Sequence, residues 1–464
     1  MKGHLRGHAA TVLVAALAAA FGVGLLGATE VILLAADAGP VGGFEEVRIV
    51  LNIVVYVFSG IAIYVASIVT TNTVSTIVVG RIRQIALVRL LGGTASRERR
   101  RLAAEGLTAG LTGAAIGTVA AWGILAALTA IGRSSAVLPT RDYPFIVGTM
   151  LVPVLAVMLA TWLAAWVGSR RVLGVSPVEA LGAAVPDGGA HRGRRGRDAL
   201  ALALGILGVL LLALAVLVGQ WTPLGLLIGL PGGALSFTAV MLAAVRIVPP
   251  LLAAVGRVLG RDAAALLGAR NALRHPERST RAAIGLVIGV ALVTMFVVAG
   301  MTGRRIILER AEAVLGGEGV DAFDQALAPM MSVIAFLVGY SAVIAAVGLV
   351  NTLTVGVLQR TREFGMVRAL GLSRAQLRRS ISVEAVQLAA ASVLLGFAIG
   401  VGYGWVGAQA AFGATQVAGM VPPEVPWWLV LAVAAVAAVL SIAGSRIPAR
   451  RALAIPPVAA IAVE

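Results

Sequence analysis

The sequence predicts an all-α polytopic membrane protein with ten transmembrane helices, built from two parallel four-helix modules and a two-helix connector. Three observations predict this class. Of the 464 residues, 59% are hydrophobic and only 12% are charged, whereas about a quarter of a soluble protein is charged. Long apolar stretches recur along the whole chain. One part of the pattern also returns later in the chain, which indicates an internal repeat.

Ten windows are long and apolar enough to cross a bilayer, which takes about 20 helical residues for a hydrocarbon layer of about 30 Å. They lie at 9–35, 47–79, 102–131, 144–168, 199–220, 224–246, 282–303, 327–358, 381–410 and 426–444. The first resembles a secretory signal, but its apolar run is longer than a signal core, which favours a retained span. The sixth is interrupted by Pro231, Gly232 and Gly233, whose freed backbone groups need partners from neighbouring helices or water.

Positive charge sets the expected orientation. The net charge is +16, and 30 of the 37 lysine and arginine residues lie in 1–8, 80–101, 170–198, 256–281, 359–380 and 445–464. Because such residues collect on the cytoplasmic side, both termini are expected in the cytoplasm of a multi-pass protein of the inner or plasma membrane. The arginines lie between apolar spans and not on a soluble domain, which argues against a nucleic-acid partner.

Several catalytic chemistries are missing from the sequence. A P-loop needs a lysine that reaches the nucleotide phosphates, and the only lysine is Lys2. The chain has no cysteine, so disulfides and thiolate metal sites are excluded. The four histidines are scattered through polar connectors at His4, His8, His191 and His275. We therefore predict no catalytic residue, metal site or cofactor site in this chain.

The internal repeat is an ungapped match at an offset of 279 residues. It aligns Asn72 with Asn351, the segment 81–92 with 360–371, Glu105 with Glu384, and Gly117 with Gly396. Such self-similarity is the signature of a tandem duplication. The sequence therefore predicts a first module at 1–182, a connector at 183–265 and a second module at 266–464, with both modules in the same orientation.

A short amphipathic helix is predicted after the second span of each module. It carries Arg81, Arg83, Ile85, Val88, Arg89 and Leu91 in the first module, and Arg360, Arg362, Glu363, Phe364, Val367, Arg368 and Leu370 in the second. Gly92 or Gly371 ends it, and the next helix begins with a capping box from Ser373 to Gln376 or a weaker cap at Thr94. One interpretation is a basic helix resting on anionic lipid headgroups; the other is a docking element for a symmetric cytoplasmic partner.

The span behind each surface helix carries small residues on one face. These are Gly106, Gly110, Gly113 and Gly117 in the first module, and Ala385, Ala389, Ser392 and Gly396 in the second. Their spacing permits close helix packing, and we expect them to join the two modules.

Glu105 and Glu384 lie about one turn into the same spans. A carboxylate at this depth is a functional candidate by default. An ion pair with Arg101 or Arg378 is the simpler interpretation, and coupling to a proton or ion is the alternative.

These residues together resemble the FtsX-like permeases, the membrane subunits of MacB-type ABC transporters. The resemblance rests on the two runs 81–92 and 360–371, on the glutamate that follows each, and on the module ends 170–181 and 450–461. It implies that 81–91 and 360–370 are coupling helices, with Arg89 and Arg368 as contacts. Their partner would be a cytoplasmic ABC ATPase dimer that binds ATP and magnesium itself.

Two features differ from the better-known members of this family. The outer loops at about 36–46 and 304–326 are too short for an independently folding domain. Both modules also lie in one chain, as in permeases of the bacitracin-export type. The leading hypothesis is a permease subunit that exports or extracts an amphipathic lipid, peptide or drug, embedded among membrane lipids. The alternatives are a mechanotransmission subunit that regulates an extracytoplasmic partner, and an ion-coupled transporter.

Overall fold

The described part of the chain is helical throughout. The computed structural model describes residues 2–36, 45–80, 82–134, 148–170, 190–259, 263–274, 276–316, 320, 338–339, 373–417 and 419–454, which contain helices and turns and no strand. The helices are α1 (Lys2–Ala36), α2 (Glu45–Gly80), α3 (Ile82–Leu90), α4 (Ala95–Ser134), α5 (Leu151–Gly168), α6 (Ala190–Gly219), α7 (Gly225–Leu259), α8 (Ala263–Arg274), α9 (Pro276–Leu315), α10 (Arg374–Phe412) and α11 (Trp427–Ala454). The all-helical prediction is confirmed for these residues.

Seven of the described stretches are long and apolar enough to cross a membrane. They are Thr11–Val31, Ala95–Ser134, Leu151–Gly168, Gly196–Gly219, Gly225–Leu259, Ala283–Val314 and Ala375–Thr415. Two shorter apolar helical stretches, Tyr56–Thr71 and Trp427–Val439, lie in the second and last predicted spans. The predicted span 327–358 lies outside the described residues except for residues 338–339. The count of ten therefore stays a prediction.

The outward faces of these helices are apolar. On α5 the exposed large side chains are Leu151, Val152, Leu155, Leu159, Trp162, Leu163 and Val167, and on α6 they are Leu200, Leu202, Ile206, Leu207, Val209, Leu210, Leu214 and Leu217. Soluble proteins rarely expose apolar patches of this extent. A multi-pass protein embedded in lipid accounts for them.

The chain folds as two compact units, residues 1–193 and 194–464. The helices α6 and α7, which the sequence assigns to a connector, belong to the second unit. The predicted boundaries at 182 and 265 describe a sequence repeat, which this division does not test. They stay a prediction.

In the first unit α4 is the central helix. It packs along α1 on one side and α5 on the other, and α2 packs against α1 and α5. Where α2 ends and α4 begins, a core of Val74, Val78, Ile85, Ala86, Leu102 and Ala165 forms. The hydroxyls of Thr71 and Ser75 on α2 donate to the carbonyl oxygens of Ala164 and Gly168 on α5, each at 3.3 Å. We call the end of the unit that contains this core the arginine-rich end, because α4 begins there with Arg97, Arg99, Arg100 and Arg101.

The glycine stripe of α4 allows this close packing. A Cβ at Gly117 would meet the carbonyl oxygen of Ala16 on α1, and one at Gly113 would lie 2.6 Å from the Cβ of Ala15. On the same helix, Gly106 contacts Ala165 and Gly110 contacts Thr161, both on α5. The stripe is therefore a packing surface inside its own unit. The expectation that it also joins the two modules stays a prediction.

In the second unit α10 takes the central place. It packs most extensively against α9 and also contacts α7, α8 and α11. A Cβ at Gly396 would lie 2.8 Å from the carbonyl oxygen of Val287 on α9, and Gly400 and Gly404 approach the same helix. The glycines aligned by the repeat therefore both meet a long helix of their own unit, Gly117 against α1 and Gly396 against α9.

The outer part of α9 differs from the prediction. Residues 304–326 were expected to form a loop, yet α9 continues to Leu315. Ile306 and Ala311 on this extension are buried, and Arg305 Nε lies 2.8 Å from Glu309 Oε1 one turn later. Apolar burial and an i,i+4 ion pair both favour helix, so the first half of the predicted loop is helical.

The helix α7 runs unbroken through Pro231, Pro249 and Pro250. The Ser236 hydroxyl lies 2.8 Å from the carbonyl oxygen of Gly232 and 2.8 Å from the Tyr403 hydroxyl of α10. The carbonyl oxygen of Gly232 thus accepts from a side chain of its own helix, and that side chain also bonds to a neighbouring helix. The expectation that backbone groups freed at the prolines find partners in neighbouring helices or water stays a prediction.

Candidate functional site

The first predicted surface helix is present as α3, and a glycine ends it as expected. Gly92 has φ +92°, in the left-handed region that glycine adopts without a steric penalty. The amide of Gly93 donates to the carbonyl oxygen of Val88 at 2.9 Å, and the amide of Leu91 donates to that of Leu87 at 3.1 Å. These bonds satisfy the last carbonyls of α3, as in a Schellman motif, so the chain turns sharply after nine helical residues.

The apolar side chains of this segment face two environments. Ile85 and Ala86 are 4% and 0% exposed, within the core between α2, α4 and α5. Leu87, Val88, Leu90 and Leu91 are exposed, and Leu91 is 89% exposed. We call these four residues the exposed apolar face.

The predicted stripe of Ile85, Val88 and Leu91 is therefore divided. Each step of three residues turns about 60° away from the previous side chain, because an α-helix has 3.6 residues per turn. Over two steps, the stripe turns from the buried side to the exposed side.

The turn from α3 to α4 is held by local contacts. The amide of Arg97 donates to the Thr94 hydroxyl at 3.3 Å, which is the weaker cap that the sequence predicts. Arg99 Nη2 donates to the carbonyl oxygen of Trp166 at 3.2 Å, and its guanidinium lies 3.7 Å from the centre of the Trp166 ring. The start of α4 is therefore attached to the end of α5 immediately behind α3. No local sequence signal pairs these two residues.

Three of the candidate arginines lie in or beside this helix. Arg83 and Arg89 belong to α3, and Arg81 lies outside the described residues. They bring positive charge to the segment that carries the exposed apolar face. The contact role assigned to Arg89 stays a prediction.

The second predicted surface helix, 360–370, lies outside the described residues, together with all its candidates: Arg360, Arg362, Glu363, Phe364, Val367, Arg368 and Leu370. The helix that follows begins as predicted. Ser373 Oγ accepts from the amide of Gln376 at 3.2 Å, and Gln376 Oε1 accepts from the amide of Ser373 at 3.0 Å. This reciprocal pair is the predicted capping box at the start of α10.

The two aligned glutamates have different surroundings. Glu105 Oε1 lies 3.2 Å from Arg101 Nε, the ion-pair partner expected from the sequence. Glu384 is buried, and its Oε2 accepts from Asn271 Nδ2 of α8 at 3.0 Å. Its expected partner, Arg378, is exposed. The second glutamate therefore makes a bond between helices that no pattern in the sequence predicts.

Two comparisons place the chain among known proteins. The family described as FtsX-like permease C-terminal matches residues 56–177 and 335–457, two stretches that together exceed half of the chain. Separately, the uncharacterized ABC transporter permease YknZ of Bacillus subtilis (strain 168) is 29% identical over 135 residues. That stretch is 29% of this chain and 32% of the relative, so the match spans about a third of the relative's length.

Proposed function

Since this chain belongs to the FtsX-like permease family, which matches more than half of its residues, we propose that it is the membrane subunit of an ABC transporter driven by a separate ATPase. The resemblance of its sequence to the FtsX-like permeases is confirmed. The Bacillus subtilis relative is itself named as an ABC transporter permease. An ATPase partner follows from this class, and ATP and magnesium would bind to that partner.

The observation that carries the proposal is the exposed apolar face of α3. These four large side chains lie at the end of α3, which contains Arg83 and Arg89 and directly follows α2. Exposed apolar side chains rimmed by charge are typical of protein interaction sites. The opposite side of α3 is anchored by Ile85 and Ala86 in the core. A partner bound to the exposed apolar face would therefore press on a helix whose other side is packed into the core.

The packing supports transmission from α3 into the membrane. Ile85 and Ala86 share a core with residues of α2, α4 and α5, and Arg99 attaches α4 to α5 at the same level. Close-packed side chains transmit displacement because the interior has little free volume. A force on α3 would therefore move three helices of the first unit together.

We extend the same role to 360–370 through the repeat. Arg360, Arg362 and Arg368 align with Arg81, Arg83 and Arg89, and the family match covers each module separately. Two surface helices would give a symmetric ATPase dimer one contact per subunit. On this basis the modules are 1–182 and 266–464, joined by the connector 183–265, with ten spans and both termini in the cytoplasm.

The class of substrate is proposed from the outer surface of the helices. The exposed faces of α5 and α6 are continuous rows of Leu, Ile, Val and Trp, which suit contact with lipid tails. We propose that the transporter exports or extracts an amphipathic molecule (a lipid, a peptide or a drug) along this lipid-facing surface.

Co-purification from the native membrane tests the proposal. A tagged chain should bring an ABC ATPase with it, and the complex in proteoliposomes should consume ATP and deplete an amphipathic molecule from the bilayer. ATP consumption without such movement would favour the mechanotransmission alternative. A complex without an ATPase, together with full activity after reversal of Arg89 and Arg368 to glutamate, would contradict the proposal.

A further inference from the structure

A group of buried polar side chains joins three helices where α10 begins. Glu384 on α10 is 5% exposed and accepts from Asn271 of α8 at 3.0 Å. One turn further along α10, Gln387 is fully buried, and its Nε2 donates to the carbonyl oxygen of Leu252 on α7 at 2.6 Å. Adjacent turns of α10 thus bind one helix on each side.

The backbones come close at the same level. A Cβ at Gly256 on α7 would lie 2.7 Å from Gln387 Nε2, and a Cβ at Gly268 on α8 would meet the carbonyl oxygen of Ser380 on α10. At Gly268 a larger residue would meet the backbone of α10, and at Gly256 it would displace the Gln387 amide. The far end of α8 is held as well, since the Ser279 hydroxyl of α9 donates to the carbonyl oxygen of Ala272 at 2.6 Å.

Loss of these hydrogen bonds is costly because the polar groups that make them are buried. A polar group that is removed from water must find a partner, and losing that partner exposes the full cost of its desolvation. Gln387 Oε1 is already buried and has no hydrogen-bond partner within the part of the chain that the structure describes. The side-chain amide of Gln387 is therefore held by the hydrogen bond from its Nε2 to α7 and by packing. Its Oε1 contributes no hydrogen bond within the described residues.

At the aligned positions of the first module, the polar side chains bond within their own helix and not to a neighbouring one. Glu105 pairs with Arg101 on its own helix. Thr108 stands where Gln387 stands in the repeat, and its hydroxyl donates to the carbonyl oxygen of Glu105 at 2.9 Å, again within α4. Thr108 therefore offers a matched control for Gln387.

We propose that Asn271, Glu384 and Gln387 are positioning residues that tie α8 and the end of α7 to α10, so that the end of the predicted connector moves with the helix that follows the predicted coupling segment 360–370. This inference rests on the proposed function. The helix α10 begins at Arg374, four residues after the segment 360–370. Glu384 lies about 15 Å along α10 from that point, at 1.5 Å per residue, so a displacement of the helix start reaches the tie directly.

A distance measurement tests the part of the tie that joins α8 to α10, and it needs no ATPase. The chain has no cysteine, so single cysteines at the exposed positions Arg270 and Arg378 accept two spin labels in the full-length protein in nanodiscs. We expect a narrow distance distribution in the otherwise unchanged chain and in the Glu384→Gln variant, which keeps an oxygen to accept from Asn271. Broad distributions are expected for Glu384→Ala and Asn271→Ala. Narrow distributions in both alanine variants would overturn the proposal.

A second measurement tests the consequence in the complex with its ATPase. Asn271→Ala, Glu384→Ala and Gln387→Leu should lower the stimulation of ATP hydrolysis by the permease about tenfold, the usual scale for loss of a buried hydrogen bond. Glu384→Gln and the control Thr108→Val should leave it unchanged. If Glu384→Gln lowers the stimulation of ATP hydrolysis as much as Glu384→Ala does, the carboxylate acts through its charge and the tie is refuted. Failure of the unchanged chain to bind any ATPase would contradict the proposed function, while the distance measurement would still decide on the tie.

Discussion

The Arg99 guanidinium lies 3.7 Å from the centre of the Trp166 ring and also donates to the carbonyl oxygen of Trp166 at 3.2 Å. One side chain thus binds both the face of an indole and the backbone at the end of α5. The contact lies immediately behind α3 and its exposed apolar face. It joins the start of α4 to the end of α5, next to the face that the proposed partner would cover.

Arg99→Ala should weaken the arginine-rich end of the first unit. A cation–π contact contributes about 0.5–1 kcal/mol at partly exposed sites, and a hydrogen bond from a charged donor adds about 1.5–3 kcal/mol. Arg99→Lys should recover only part of this, because an ammonium cannot match the flat guanidinium on the ring. Hydrogen exchange of the amides from 91 to 98 should be faster in both variants.

Arg100 is the control for this experiment, since it is adjacent and exposed. Arg100→Ala removes the same charge and should leave exchange in the turn unchanged. Equal acceleration in the Arg99 and Arg100 variants would mean that net charge, and not the contact with Trp166, holds the turn.

Leu91→Asp should weaken the binding of the ATPase without disturbing the fold. Leu91 is 89% exposed, so the substitution costs little in the isolated chain. Full burial of a leucine contributes about 1.5–3 kcal/mol, which predicts that affinity for the ATPase falls at least about tenfold. Surface-immobilised permease in nanodiscs, titrated with the purified ATPase, gives this value.

Ser96→Asp adds the same charge to the same turn and provides the control. Ser96 is exposed and lies outside the exposed apolar face. Its variant should bind the ATPase normally. If Leu91→Asp also binds normally, α3 is not the docking element, and an interfacial helix on lipid headgroups becomes the better interpretation.

Glycine positions along α4 and α10 should separate into two classes. Gly117→Ala and Gly396→Ala should destabilise the protein by about 1–3 kcal/mol, the usual cost of overpacking, because each Cβ meets the backbone of the neighbouring helix. Gly123→Ala and Gly402→Ala should be neutral or stabilising, since nothing lies within 4 Å of a Cβ there and alanine favours helix. Thermal unfolding in detergent measures all four, and equal effects would contradict the packing described.

The caps that follow α3 and the segment 360–370 should differ in strength. Ser373→Ala removes a reciprocal capping box and should cost about 1 kcal/mol. Thr94→Ala removes one exposed bond of 3.3 Å and should cost less. Hydrogen exchange in the first turns of α10 and α4 reports both. A larger effect at Thr94 would contradict the assigned geometry.

Local features of the site were predictable from the sequence. The end of α3 follows from a glycine that can adopt positive φ, and the start of α10 follows from a serine three residues before a glutamine. The ion pair between Arg101 and Glu105 lies one turn apart on one helix. The residues that determine each of these features lie within four positions of one another, so a short stretch of sequence is enough to predict it.

Contacts between helices were not predictable in the same way. Trp166 and Arg99 are 67 residues apart, and Asn271 and Glu384 are 113 residues apart. The glycine stripe predicted close packing correctly, but a small side chain does not specify its neighbour. For α9, charged residues indicated a loop, although buried Ile306 and Ala311 keep the chain helical beyond the apolar stretch.

Site-specific labelling tests the central claim most directly: two aligned surface helices lie on the cytoplasmic side and are covered by an ATPase. Because the chain has no cysteine, Leu91→Cys and Leu370→Cys each provide one reactive thiol. A membrane-impermeant maleimide should label both in inside-out vesicles, fail to label either in right-side-out vesicles, and lose access when the ATPase is added. Labelling of either position from the outside, or of the two from opposite sides, would contradict the account.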